Sequence, residues 1–423
     1  MNTVKYWITT YGCQMNKSDS ERIASVLENM NYRKASNLDD ANLILVNACS
    51  IRQSAIDRIW GQTKIISKLK KKNPNIKAVL TGCVLKKDRI KFYGRFDLVL
   101  DIKDLPKLPK FLGIPKKTTE DNYLRIKPKY ASRFSAQVPI MTGCNNFCSY
   151  CAVPYTRGRE ISRSAKEIIC EVKNLVNGGY KEIWLLGENV NSFKSEGINF
   201  PELLKKINAI KGNFWIRFTS PHPKDFSDEL IETIASSEKM AEYINLPIQS
   251  GDNTILKKMR RPYTVKGYKI LLKKIREAIP GVAISTDVIV GFPGETKKNF
   301  ENTKKLFKEL KFDMAYIAQY SSRAGTAASL LKDNVSHSEK EKRHRILTDI
   351  LRETAAKNNK EYEGKTVEVL VDDSKNGFMS GKTRTFKTAR FKGKPGLIGK
   401  FVEVKIIEAL PWGLKSELCK TKN

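Results

Sequence analysis

The sequence predicts an α/β chain in three parts: an N-terminal open α/β sheet, a central partial (β/α)6 barrel and a small C-terminal β-barrel. Three observations carry this. Strand-like and helical periods alternate through the N-terminal quarter. The rhythm restarts at Val138 and repeats over six strands, short of the eight that close a full barrel. After a basic helix the pattern changes to short strands separated by glycines. The expected bounds are 1–102, a connecting segment 103–130, 131–358 and 359–423.

In the first part, Lys5–Thr10 is strand-like and Ser18–Glu21 (SDSE) has the form of a capping box, opening a helix with Ile23, Val26, Leu27 and Met30 on one face. Leu43–Val46 is a buried strand, a second helix runs from about Gln53 to before Pro74, and Ile76–Leu80 is a third strand. Residues 103–130 lose the periodicity and carry Pro106, Pro109, Pro115 and Pro128 among lysines, as a linker does. The barrel strands are expected at Val138–Met141, Glu182–Leu186, Phe214–Thr219, Tyr243–Pro247, Val282–Val290 and Met314–Tyr320. Gly291–Glu295 reads as a turn into a helix, since it lacks the Lys-Ser/Thr of a phosphate loop. A helix over residues 338–361 precedes strands at Thr366–Asp372, Lys382–Phe391 and Gly399–Glu408.

Composition narrows the function. Lys and Arg number 77 against 45 Asp and Glu, a formal net charge of +32 over 423 residues. Such an excess steers polyanions to a surface. No apolar run approaches the roughly 20 residues of a membrane span. The start MNTVKYWITTYGC has no basic stretch leading into an apolar one, so a soluble cytosolic protein is expected. Eight cysteines in so long a chain do not suit a disulfide scaffold, and only three histidines argue against a His-rich zinc site.

The cysteines carry the chemistry. Cys144, Cys148 and Cys151 form a C-x3-C-x2-C run just after the first barrel strand. Three thiolates can hold three irons of a 4Fe–4S cluster and leave the fourth open to the amino and carboxylate groups of S-adenosylmethionine (SAM). Structural zinc prefers paired C-x2-C units and four ligands. Cys13, Cys49 and Cys83 each follow an N-terminal strand closely, so parallel strands would deliver all three thiols to one carboxyl edge, where open α/β sheets place ligands. Cys170 lies in the apolar stretch EIICEV and is expected in the core.

With Ala-Val-Pro-Tyr-Thr-Arg-Gly-Arg159 following, the three-cysteine run resembles the methylthiotransferase branch of the radical SAM superfamily. The resemblance spans nearly the whole chain. Tyr11-Gly-Cys-Gln-Met-Asn16, Asn47-Ala-Cys-Ser-Ile-Arg52 and Thr81-Gly-Cys83 resemble the family's auxiliary-cluster domain, and the last part resembles a TRAM domain, an RNA-binding module. The details are closest to the enzymes that methylthiolate N6-isopentenyladenosine beside the tRNA anticodon. Ala48 and Glu188 depart from the residues most common there, Thr and Gln. The resemblance implies a radical SAM barrel, SAM and two 4Fe–4S clusters, the auxiliary one on Cys13, Cys49 and Cys83. It also implies tRNA as partner. An electron donor such as a flavodoxin or ferredoxin, no membrane and a monomer are expected as well. The adenine C2–H bond has no acidic proton, so no general base is assigned. Related readings are N6-threonylcarbamoyladenosine as the modified base, an aspartate of a ribosomal protein as the target, and an RNA-binding protein with structural clusters.

Further site residues are expected at strand ends. Gly187 and Glu188 resemble the segment that holds the SAM amino group. Ser285 and Asp287 end a later strand, where a carboxylate suits ribose hydroxyls, and Gln249 and Ser250 end another. Each also suits a helix cap. Arg217 and His222 suit structural roles at least as well. In the last part Lys382, Arg384, Phe386, Lys387 and Arg390 alternate basic and aromatic residues, as RNA-binding strands do.

Overall fold

Leu43–Cys49 is buried along its whole length, as the middle strand of a parallel sheet must be. In the computed structural model, which describes residues 4–50, 53–114 and 122–419, it is the centre of a five-stranded sheet. The strands are β1 (Lys5–Tyr11), β2 (Arg33–Lys34), β3 (Leu43–Cys49), β4 (Lys77–Cys83) and β5 (Leu98–Val99), all parallel in the order β2-β1-β3-β4-β5. Side chains alternate across β3. Leu43 and Leu45 enter one core with Tyr6, Ile23 and Leu27; Ile44, Val46 and Ala48 enter the other with Ile56, Ile59 and Ile66. Ile51 and Arg52 of the second cysteine motif, and Pro115, lie outside the described residues.

The chain divides into two compact units, Met1–Ser132 with Gln137–Arg163 and Ser321–Ser329, and Arg133–Ala136 with Ser164–Tyr320 and Leu330–Asn423. In the first unit the opening helix spans Gln14–Asn29. It starts a turn before the SDSE segment, because Cys13 occupies the cap and Asn16 reaches back to its backbone N–H. Ser18, Asp19, Glu21 and Arg22 therefore lie inside the helix and are buried. The proline-bearing connection also packs. Ile102–Lys107 is a 3-10 helix, and Ile102, Leu105, Leu108, Tyr123 and Leu124 share the core of Leu43. β6 (Ser135–Pro139) leads to a short antiparallel pair, β7 (Met141–Thr142) with β8 (Ile161–Ser162).

The second unit carries the parallel strands β9 (Glu182–Leu186), β12 (Trp215–Phe218), β13 (Tyr243–Asn245), β14 (Ala283–Val290) and β15 (Met314–Gln319); a small hairpin, β10 (Lys194–Ser195) with β11 (Ile198–Asn199), precedes β12. β9 pairs with β12, Ile216 of β12 bridges to Met240, and β13-β14-β15 continue in order. Phe134, entering β6, accepts from the backbone N–H groups of Lys181 and Glu182. These five parallel strands and their intervening helices follow the β/α order expected of the central part. Gly291–Glu295 is a turn into the helix Lys297–Leu310, closed by a bond from the Gly291 N–H to Glu295.

Helix His337–Lys360 leads to a closed five-stranded barrel of β16 (Thr366–Lys375), β17 (Phe378–Thr383), β18 (Thr388–Lys392), β19 (Phe401–Leu410) and β20 (Gly413–Leu418). Lys382–Phe391, read as one alternating strand, is instead a hairpin. β17 stops at Thr383, whose carbonyl accepts from the Phe386 N–H, and Phe386 turns the chain with a left-handed φ of 62°. Cys170 is exposed rather than in the core. The buried face of its helix, Ala165–Asn177, is Ala165, Ile168, Val172 and Leu175, and a residue two past Ile168 points away from it.

Candidate active site

The parallel sheet of the first unit gathers its cysteines. Cys49 and Cys83 end adjacent strands in register, and Cys13 lies just past Tyr11, whose partner is Ala48. Cys49 and Cys83 are buried and Cys13 is exposed. Asn16 ties the edge together: its Oδ1 lies 3.5 Å from the Cys13 Sγ and its Nδ2 donates to Asn47 Oδ1 at 3.1 Å and to the Cys83 Sγ at 3.7 Å. The Cys83 thiol is pushed well up, first by its hydrogen bond with Cys49 and then by burial, with the Arg157 charge opposing.

The second cysteine set occupies the loop between β7 and the helix Val153–Thr156. Cys144 and Cys148 are buried and Cys151 half-buried. The Cys151 N–H donates to the Cys148 carbonyl at 3.0 Å, the Cys144 N–H to Gly158 at 3.2 Å, and Phe147 takes a left-handed φ of 47°. The returning segment holds the loop from its other side, through a 2.7 Å bond from the Ala328 N–H to the Ser149 carbonyl. Burial, more than its neighbours, raises the Cys144 thiol. Gly143 makes the turn possible: φ is 80°, and a Cβ there would lie 2.1 Å from the Arg159 carbonyl oxygen. Gly143→Ala is expected to displace this loop and cut the iron it retains by on the order of 10-fold, as disturbed metal sites do. Iron analysis after anaerobic reconstitution checks this; full iron would show that the loop accommodates the methyl group.

Among the described residues no three His, Cys, Asp or Glu side chains converge as a formed metal shell. The donor chemistry fits iron–sulfur ligation all the same. Cys144, Cys148 and Cys151 share one short loop, and the buried Cys49 and Cys83 thiols already meet.

The remaining candidates belong to the second unit. Gly187 directly follows β9 and is buried, with Glu188 half-buried beside it. Gln249 has a left-handed φ of 69°, and its backbone pairs with β14: its N–H donates to the Asp287 carbonyl at 2.8 Å and its carbonyl accepts from Ile289 at 3.0 Å. Gln249, Ser250 and half-buried Asp287 are thus neighbours. β14 continues to Val290, so Ser285 and Asp287 are interior to it rather than at its end. Ser285 is fully buried, and its hydroxyl bonds Tyr243 at 2.8 Å and Asn245 at 3.0 Å. Ser250 Oγ accepts from the Asp252 N–H, while Asp252 itself caps the following helix. His222 caps a 3-10 turn through Nδ1, and burial, with Arg261 and Lys224 nearby, depresses it to about 2, so the ring is neutral.

The β17–β18 hairpin turns inward. Arg384 holds Glu242 through both carboxylate oxygens, at 2.7 and 2.9 Å, and Lys387 holds Asp313 at 2.6 Å. Phe386 packs 4.7 Å from the Tyr243 ring and 5.2 Å from Trp184. Lys382 donates to Thr388 Oγ1 at 2.6 Å. Arg390 is exposed and lies over Phe378. A cavity of about 230 Å³ opens beside the hairpin, lined by Tyr243, Met314, Tyr316, Phe386 and Trp412 among others. Sequence reasoning missed Asn16, Asp19, Asn47 and Arg157 as site residues. Asn16 and Asn47 could have been found from their places beside Cys13 and Cys49 in the motifs; Asp19 and Arg157 are joined only by the fold.

Comparison with known proteins gives the class, an enzyme of the radical SAM superfamily. The Radical SAM superfamily matches residues 138–307, the uncharacterized protein family UPF0004 residues 5–100, and the TRAM domain residues 360–419. A tRNA-2-methylthio-N(6)-dimethylallyladenosine synthase of Clostridium botulinum is 42% identical over 440 residues, covering 99% of this chain and 98% of its own. One of Thermoanaerobacter pseudethanolicus is 42% identical over 436 residues, covering 98% and 92%. The chain belongs to the family of tRNA-2-methylthio-N(6)-dimethylallyladenosine synthases. Among solved structures, the radical SAM methyltransferase TsrM of Kitasatospora setae, with cobalamin and a [4Fe-4S] cluster bound, has a TM-score of 0.55 at 13% identity, over 78% of this chain and 74% of that one. That likeness is one of fold.

Proposed function

We propose that this protein inserts sulfur and a methyl group at C2 of N6-isopentenyladenosine next to the anticodon of tRNA. The observation that carries the reading is full-length relatedness, 42% identity over 99% of the chain, to synthases named for that product. The parts take roles accordingly. Residues 1–102 form the auxiliary-cluster domain, 103–130 the connection, 131–358 the radical SAM barrel and 359–423 the RNA-binding barrel.

Cys144, Cys148 and Cys151 hold the 4Fe–4S cluster. When bound, it supplies the one-electron chemistry that splits SAM. The chain's own residues bind and orient. Gly187 and Glu188 hold the SAM amino group, Asp287 with Gln249 and Ser250 the ribose, and Cys13, Cys49 and Cys83 a second 4Fe–4S cluster that carries the sulfur. Ser285 supports this set through its bonds to Tyr243 and Asn245. The +32 net charge attracts tRNA. Of the hairpin residues, exposed Arg390 is the one best placed to meet phosphate, while Lys382, Arg384, Phe386 and Lys387 fix the hairpin that presents it. The protein acts as a cytoplasmic monomer, reduced by a flavodoxin or ferredoxin. No helix among the described residues is long and apolar enough to cross a membrane.

Nucleoside mass spectrometry tests the substrate. Reconstituted protein, SAM and reductant are combined with tRNA carrying either isopentenyl- or threonylcarbamoyl-adenosine. A methylthio product from the isopentenyl tRNA alone is expected. Product only from the other tRNA would overturn the substrate and keep the chemistry; product from neither would overturn the tRNA reading.

A further inference from the structure

One side chain touches the auxiliary cysteines from the loop that carries the other set. Arg157 follows Cys151 closely and caps the helix Val153–Thr156. It is 3% exposed, and each arm of its guanidinium is engaged. Nε donates to the Cys83 Sγ at 3.0 Å, Nη1 to the Tyr123 hydroxyl at 3.1 Å and Nη2 to Asp19 Oδ2 at 2.6 Å. The Tyr123 hydroxyl in turn donates to Thr142 Oγ1, just before Gly143. Asp19, buried in the middle of its helix, balances the charge.

A neutral thiol is a weak hydrogen-bond acceptor, whereas a thiolate accepts a charged donor strongly. A buried ion pair with Asp19 does not by itself require Nε to point at sulfur. Iron ligation would make the Cys83 sulfur the charged acceptor that such a donor suits, and Nε already lies 3.0 Å from it. Hydrogen bonds to ligating sulfur, and positive charge beside it, favour the more reduced cluster and raise its potential.

We infer that Arg157 is a positioning residue for iron bound at Cys13, Cys49 and Cys83: its Nε–H holds the Cys83 sulfur, raises the reduction potential there, and ties that ligand to the Cys144–Cys151 loop. The inference rests on the auxiliary-cluster reading above and adds a residue that reading does not use. Because the contact is made to sulfur, its effect is on the electronics of the cluster as well as on packing.

The test uses the full chain with Cys144, Cys148 and Cys151 replaced by Ala, so that only the auxiliary cluster is reconstituted. Its midpoint potential is read by dithionite titration followed by electron paramagnetic resonance. Into this background go Arg157→Gln, Arg157→Lys and Asp19→Asn. Arg157→Gln should shift the midpoint to more negative potential. Arg157→Lys, which keeps the charge and loses the fork, should shift it less. Asp19→Asn, which weakens the ion pair and keeps the donor on sulfur, should give no negative shift. Should Arg157→Gln fail to hold iron, Arg157→Lys decides on the same reading. An unchanged midpoint in the iron-bearing Arg157 variants, or an equal negative shift in Asp19→Asn, would overturn the role of Arg157 alone. A parent variant that binds no iron would overturn the auxiliary-cluster reading, and this inference with it.

Discussion

Cys148→Ala is expected to abolish 5′-deoxyadenosine release from SAM, a loss well beyond the roughly 10–100-fold that changes outside the ligand shell produce at metal sites. Cys148 is buried between Phe147, in its left-handed turn, and Ser149, whose carbonyl is held by Ala328. Cys151 is tied to the Cys148 carbonyl, and Cys144 is pinned at Gly158. A hydroxyl such as that of Ser149 is a poor substitute for a thiolate on iron. The check is liquid chromatography of anaerobic reactions containing SAM and dithionite, with iron counted in the same sample. Release of 5′-deoxyadenosine at the wild-type rate would show that Cys148 is not a ligand of the SAM-cleaving cluster.

Much of this was legible because periodicity reports burial. Glu182–Leu186 reads as a strand from its apolar run and is one, to the residue. The gathering of Cys49 and Cys83 was legible from strand ends, since parallel neighbours in register deliver their last residues to one edge. Three features were not legible, each for a physical reason. The Gln14–Asn29 helix begins on Cys13, outside the usual cap set, so the polar SDSE run drew the boundary inward. The alternation through Lys382–Phe391 continues across a turn, because Phe386 adopts positive φ without the Gly or Asn that normally announces it. The Arg157–Asp19 pair joins residues 138 apart in sequence, a contact that no local pattern encodes.

The inward hairpin changes how the basic residues of the C-terminal barrel are read. A sequence of Lys, Arg and Phe at strand spacing suits phosphate tracking and base stacking. Here Arg384 and Lys387 are already neutralised by Glu242 and Asp313, and Phe386 lies against Tyr243 and Trp184. Charge already spent on carboxylates inside the protein releases few counterions on RNA binding. On the proposed reading, tRNA would then meet exposed cations such as Arg390.

Arg217 is the residue that makes this hairpin dock, and Arg217→Met is expected to destabilise the second unit by about 3–5 kcal/mol, the usual result of removing one partner of a buried pair. Its side chain is fully buried and donates through Nε to Glu182 at 2.7 Å. Its other nitrogens donate to the Arg384 and Thr383 carbonyls at 2.8 Å each, and its guanidinium lies over the rings of Trp184, Trp215 and Phe386. Burial lowers its proton affinity and Glu182 offsets this. Methionine fills much of the space but leaves the buried Glu182 carboxylate without its cation and the Arg384 carbonyl without this donor, while the Thr383 carbonyl keeps the Phe386 N–H. Ser135, which holds the other Glu182 oxygen at 2.7 Å, cannot replace a cation. Thermal unfolding should show the loss, and brief trypsin treatment should localise it. Lys382, Arg384 and Lys387 are all tryptic sites, so a loosened hairpin is cut early. Adding Glu182→Gln should recover part of the stability, because it removes the stranded charge. Wild-type melting with an uncut hairpin in Arg217→Met would mean that ring packing around Phe386 holds the hairpin without the guanidinium.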